Sequence, residues 1–119
     1  MDKKKLKPSI LIVGGTGFIG YHLACKFLNK GWSVTIFSQK KPKKLRMLSK
    51  VKYLRGNIFI KSSLKKINRY YDHVINCGGD VDHKSKIKVY KSHFIGCKNL
   101  VDLFLKKNIK NFIQIGSSA

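Results

Sequence analysis

Glutamate is missing from this chain altogether, and only 5 Asp+Glu stand against 26 Lys+Arg in 119 residues. Cysteine and proline are scarce, at 3 and 2 residues. No apolar run approaches the roughly 20 residues that a membrane-spanning helix requires. Each shortage excludes something. Cys25, Cys77 and Cys97 lie far apart with no C-x-x-C, which argues against a disulfide scaffold or a zinc ribbon and for a reduced, cytoplasmic protein. The histidines His22, His73, His83 and His93 have no metal-ligand spacing. The start, Met1-Asp-Lys-Lys-Lys-Leu-Lys, is basic but lacks the apolar stretch of a signal peptide, so residues 1–8 read as a basic tail. The length allows one domain, residues 9–119, and 43% hydrophobic residues are enough for a core.

A formal charge of +21 would ordinarily suggest nucleic acid or an anionic membrane. The distribution argues against both. Lysines occur in nearly every segment, and the only arginines are Arg46, Arg55 and Arg69. Arginine is the usual reader of base edges and phosphate forks. There is no clustered arginine face with interleaved aromatics. Lys, Ile and Asn are abundant together, as a coding sequence rich in A and T would produce. Neither a specific nucleic-acid partner nor a membrane is expected, although anionic ligands would be attracted.

What the chain does have is Ile10-Leu-Ile-Val-Gly-Gly-Thr-Gly-Phe-Ile-Gly20. It reads as a buried strand, a glycine-rich turn and the start of a helix, the arrangement with which doubly wound α/β proteins hold a dinucleotide pyrophosphate. Gly14, Gly17 and Gly20 stand at G-x-x-G-x-x-G spacing. The first permits a tight turn, the second lets phosphate approach the backbone, and the third lets the helix lie close to the strand. The helix would direct its free N–H groups and positive dipole end at the anion.

Strand and helix patterns alternate beyond this point. Strands are expected over Ser9–Val13, Ser33–Phe37, Val51–Leu54, His73–Cys77 and Asn111–Ile115. A first helix over Phe18–Lys30 places Ile19, Leu23, Phe27 and Leu28 on one stripe and ends at Gly31. Lys40–Lys50, broken by Pro42, reads as a loop with a weak helix. A short helix capped by Ser62 or Ser63 carries Leu64 and Ile67 inward. A long helix over Val89–Lys107 sets Tyr90, Phe94, Cys97, Val101, Phe104 and Leu105 near one face. Helical crossovers between buried strands imply a parallel sheet with right-handed connections. The order 3-2-1-4-5 follows if the fold is of the Rossmann type. Ala119 follows directly on the last strand, so the chain reads as the front portion of a longer protein.

Five segments in order carry a family resemblance: Gly14-Gly-Thr-Gly-Phe-Ile-Gly20, Leu54-Arg-Gly-Asn57, Tyr71-Asp-His-Val-Ile-Asn-Cys-Gly-Gly79, Gly96-Cys-Lys-Asn-Leu-Val101 and Asn111-Phe-Ile-Gln-Ile-Gly-Ser-Ser-Ala119. Through them the chain resembles the extended short-chain dehydrogenase/reductase family, the NAD-dependent epimerases and dehydratases that act largely on nucleotide sugars. The resemblance implies that the turn with Gly14, Thr16, Gly17, Phe18, Ile19 and Gly20 wraps the pyrophosphate. It implies that Gly56-Asn57 meets the adenine, with Asn57 in place of the usual acid. It lays Cys77, Gly78 and Gly79 along the ribose and pyrophosphate. His93 and Cys97 replace an Asn and a Thr, and His93 reads as a packed helix residue.

At the end of strand two an acid would select NAD by binding its ribose 2′-OH. Ser38-Gln39-Lys40-Lys41 stands there instead. Ser38 can donate to a 2′-phosphate and Lys40 or Lys41 can neutralise it, so the cofactor is NADP or NAD, with NADP favoured. The resemblance also implies a catalytic hydroxyl at Ser118, or failing that Ser117, and a Tyr-x-x-x-Lys pair on the next helix. That pair is absent: Tyr70, Tyr71 and Tyr90 have Val74, Ile75 and Phe94 four positions on. The expected function is the cofactor-binding portion of an epimerase, dehydratase or reductase acting on a nucleotide sugar by hydride transfer, inactive by itself, with the complete enzyme a homodimer. A non-catalytic dinucleotide sensor of the same fold is the alternative.

Overall fold

The computed structural model describes residues 7–14, 16–77, 86–107 and 109–115, with residues 86–93 described by backbone alone. Five strands form one parallel sheet: β1 (Ser9–Val13), β2 (Ser33–Ser38), β3 (Lys52–Arg55), β4 (His73–Asn76) and β5 (Asn111–Gln114). Their order is β3-β2-β1-β4-β5, as the Rossmann reading expects, with strand ends displaced by one residue at most. The direction of winding reverses between β1 and β4, where open α/β sheets bind their ligands.

Strand β1 is buried on both faces, and its alternation divides the core. Leu11 and Val13 join Phe37, Val74, Leu100 and Phe104 beneath helix α2 (Lys86–Leu105). Ile10 and Ile12 join Val34, Ile36, Ile75 and Ala24 beneath helix α1 (Phe18–Asn29). Two helices on opposite faces of a parallel sheet give the doubly wound arrangement. No helix among the described residues is long and apolar enough to cross a membrane.

Helix α1 ends as its sequence predicts. Gly31 adopts φ +81°, its N–H donates to the Leu28 carbonyl at 2.9 Å, and the Trp32 N–H donates to Phe27 at 3.0 Å. These are the two bonds of a Schellman stop, and the Phe27 and Trp32 rings supply its apolar contact at 4.6 Å. The inward stripe differs at one place. Ile19 is exposed, while Gly20 and Ala24 are buried and Leu23, Phe27 and Leu28 pack partly on the sheet. The first turn overhangs the sheet edge, so only residues from Gly20 onward reach the core.

Helix α2 also faces differently from the expectation. Among its described side chains the buried ones are Gly96, Asn99, Leu100 and Phe104, whereas Phe94 and Leu105 are exposed and Cys97 and Val101 are half-buried; those of Tyr90 and His93 lie outside the described residues. The polar Asn99 and the small Gly96 hide the true inward stripe from a reading based on apolar residues alone. The segment after β2 holds one short 3-10 turn, Lys44–Arg46. The short helix after β3 is also 3-10, over Lys61–Lys66, with Leu64 and Ile67 buried as expected. Neither Ser62 nor Ser63 caps it, because Ile60 is the N-cap residue and the Ser63 hydroxyl instead accepts the Asn57 N–H at 2.7 Å.

The N-terminal edge of the sheet is closed by its own polar groups. Asp72 Oδ2 accepts the Ser9 N–H at 2.9 Å, and the Asp72 N–H donates to Ser9 Oγ at 3.1 Å. Trp32 stacks on His73 at 5.0 Å, and the Asn111 amide meets His73 Nδ1 at 3.1 Å.

Candidate functional site

The described residues among those singled out from the sequence collect at the opposite edge, along the C-terminal ends of β1, β2, β3 and β4. Backbone bonds continue the ladder one step past the strands there. The Gly14 N–H donates to the Phe37 carbonyl at 2.7 Å, Cys77 to Val13 at 2.8 Å, and Gly56 to Ser38 at 3.1 Å. The rim is therefore held by the sheet rather than hanging from it as a free loop.

Gly14 takes φ +75°, the left-handed region that glycine enters without steric penalty, and so turns the chain out of β1. Gly17 is different. It is the N-cap of α1 with φ −82° and ψ −171°, a conformation open to any residue. A Cβ built on it would meet no atom within 4 Å. Neither the backbone nor the packing asks for glycine at this position. The first bond of the helix runs from the Tyr21 N–H to the Gly17 carbonyl at 2.9 Å, and no side chain caps the end. The N–H groups of the first turn, Phe18, Ile19 and Gly20, thus face outward at the positive end of the dipole. This open cradle fits a diphosphate, which accepts backbone N–H groups and needs close approach.

Thr16 and Ser38 join the turn to β2, their hydroxyls 3.0 Å apart. Ser38 is 9% exposed, and its hydroxyl also accepts the Lys40 N–H at 3.4 Å. It joins the two loops, and of the residues proposed to meet a 2′-phosphate Lys40 and Lys41 stand open to solvent while Ser38 is buried. Asn57 sits at the end of β3, where its Oδ1 accepts the Phe59 N–H at 2.9 Å and closes a local turn. Cys77 follows β4, and burial pushes its thiol up to about 11, so it stays protonated. Gly78, Gly79, Ser117 and Ser118 lie outside the described residues, as do Gly15 and the C-terminal end of the fifth family segment.

One residue at this rim escaped the sequence reading. Arg46 lies over the Phe18 ring, with its guanidinium carbon 5.9 Å from the centroid. The contact sets a permanent cation beside the first turn of α1. Its only signal in the sequence was being an arginine among so many lysines. Among the described residues no group of three His, Cys, Asp or Glu could hold a metal ion.

A sequence model of the NAD dependent epimerase/dehydratase family matches residues 10–119. The chain belongs to this family. Among its relatives, UDP-glucose 4-epimerase 3 of Oryza sativa subsp. japonica is 25% identical over 136 aligned residues, covering 98% of this chain and 36% of that protein. The fold is also that of solved epimerases. A UDP-glucose 4-epimerase from Bifidobacterium longum, in complex with NAD+ and UDP, superposes with a TM-score of 0.81 at 22% identity over 92% of this chain and 37% of its own. The UDP-glucose 4-epimerase of Thermus thermophilus, in complex with NAD, gives 0.78 at 20% identity over 87% and 36%. This family member therefore spans just over a third of the length of each of these three proteins.

Proposed function

We propose that residues 9–119 form the dinucleotide-binding part of an epimerase that acts on a nucleotide sugar. Gly17 carries the reading: it is a glycine that nothing among the described residues requires, standing at an uncapped helix N-terminus on the topological switch point. In this reading Gly14, Gly17, Phe18, Ile19 and Gly20 hold the pyrophosphate through backbone N–H groups. Asn57 lies by the adenine, and Cys77, Gly78 and Gly79 line the ribose and pyrophosphate. Ser118, with Ser117 as the alternative, supplies the hydroxyl that holds the reacting sugar oxygen. The bound nicotinamide would supply the hydride acceptor, and the protein's share is to fix its position and exclude water.

The Tyr-x-x-x-Lys pair belongs to the activity of a complete enzyme and is not in these 119 residues. This chain by itself is proposed to bind nucleotide without turnover. The related rice protein is a UDP-glucose 4-epimerase, which supports a UDP-sugar as the substrate class. Homodimer formation is part of the same proposal and is read by light scattering.

The cofactor is NAD or NADP. Absence of an acid after β2 and the exposed Lys40 and Lys41 favour NADP, while the Bifidobacterium and Thermus proteins were solved with NAD. Titration of the chain with NADH and NADPH, followed by nicotinamide fluorescence, tests both claims. Saturable binding of either supports the reading, and binding of neither overturns it. Lys40→Ala is expected to weaken NADPH about fivefold and leave NADH unchanged, since an exposed ion pair is worth up to about 1 kcal/mol. Equal effects on the two would remove the NADP preference. Interconversion of UDP-glucose and UDP-galactose by the protein containing this chain tests the activity.

A further inference from the structure

Helix α2 carries two residues that a helix packed on a sheet does not need. Asn99 is 6% exposed, beside the fully buried Leu100, a position where an apolar residue would serve packing better. Gly96 is buried in the middle of the helix, where glycine is among the weakest formers. They stand three residues apart on the same face. Both meet the same partner. Asn99 Nδ2 donates to the Ile58 carbonyl at 2.7 Å, and a Cβ on Gly96 would overlap Ile58 Cδ1 and lie 2.9 Å from its Cγ1. Ile58 belongs to the segment after β3 that begins with Gly56 and Asn57.

That segment is gripped from the other side as well. The Gly56 N–H donates to Ser38, the Asn57 N–H donates to Ser63 Oγ, and Asn57 Oδ1 accepts from Phe59. A Cβ on Gly56 would run into the Phe37 ring and Ser63 Oγ, so the segment lies flat on the end of β2. Asn99 bonds to it from helix α2, 41 residues away in sequence.

We propose that Asn99 is a positioning residue for nucleotide binding: through the Ile58 carbonyl, and with Gly96 making room for the Ile58 side chain, it fixes the Asn57 turn at the rim of the site. The inference rests on the proposed function, in which Asn57 lies by the adenine. Loss of the clamp lets the turn move, so the adenine end of a ligand loses its seat while the glycine turn keeps its own.

The test compares Asn99→Ala and Gly96→Ala with the unaltered chain. Asn99→Ala removes a buried hydrogen bond and lowers the melting temperature. Gly96→Ala gives the helix its best former but presses a Cβ into the buried Ile58 side chain, so it lowers the melting temperature as well. Both are expected to weaken NAD and AMP about tenfold. Both should leave inorganic pyrophosphate, which needs only the glycine turn, unchanged. Amide exchange at Asn57 should quicken in both. An affinity loss that falls equally on pyrophosphate would make Asn99 a packing residue and overturn the inference. Unchanged AMP affinity in both variants would do the same. Failure of the unaltered chain to bind NAD or AMP would instead overturn the functional reading and take this inference with it.

Discussion

Two glycines at opposite ends of helix α1 look alike in the sequence and differ in kind. Gly31 holds φ +81° and ends the helix, so the fold itself requires it. Gly17 holds φ −82° with empty space where a side chain would project, so the fold does not. The same contrast runs along the two edges of the sheet. At the N-terminal edge Ser9, Asp72, Trp32, His73 and Asn111 satisfy one another. At the C-terminal edge the first turn of α1 is uncapped, Phe18 and Ile19 are exposed, and Arg46 lies over the Phe18 ring. Where the protein closes on itself, residue choice serves stability. Where it leaves room, residue choice serves something else.

The sharpest way to break this comparison is Gly17→Asp. Aspartate is a favoured N-cap and complements the dipole, so stability is expected to hold or rise by a few tenths of a kcal/mol. The carboxylate would occupy the place proposed for the diphosphate and repel it, lowering NAD affinity roughly a hundredfold. Thermal melting and nucleotide titration on the same variant read the two signs. Undiminished affinity would end the claim that this opening is an anion site. Next in size is Cys77, on the same edge. Its thiol rises from 9.0 to about 11 by burial. Its thiolate is then about a hundredfold scarcer at pH 8 than in the unfolded chain, and alkylation of native Cys77 should be slower in that proportion. Peptide mapping after timed alkylation, with and without denaturant, measures the ratio.

Much of this edge was legible because strand periodicity and glycine spacing are local signals. The buried run Ile10–Val13 and the C-terminal stop at Gly31 need no long-range information. Ser38 reads from the sequence as a position facing the cofactor, and its contact with Thr16, 22 residues away, has no local signal. Asn99 and Gly96 misled the reading of α2 for the same reason. Their partner Ile58 lies in the loop after β3, and a polar and a small residue do not advertise an inward face. Ser63 was mistaken for a cap because capping is a local rule, and the Asn57 N–H outcompeted it. Local chemistry sets the elements, and contacts across the sheet edge decide what the polar residues among them do.

The smaller effects belong to the closed edge, and each should leave nucleotide affinity alone. Gly31→Ala forces a side chain into the left-handed region and is expected to lower stability by about 1 kcal/mol in a thermal melt. Asp72 provides the finest distinction. The Ser9 backbone N–H holds its carboxyl below the ordinary 3.8, aided by the Lys110 ammonium at 3.9 Å. A carboxyl lowered in the folded state binds its proton more readily when unfolded. Its contribution is therefore complete above 3.8, declines as the pH falls through the lowered folded value, and is gone beneath it. Asp72→Asn cannot titrate, so the variant should start less stable at neutral pH and lose less on acidification. Urea melts in steps from pH 7 downward would show the two curves converging. Parallel curves would mean that Asp72 does not hold this edge through its charge. A fall in NAD affinity in the Asn variant would mean that the two edges are not independent.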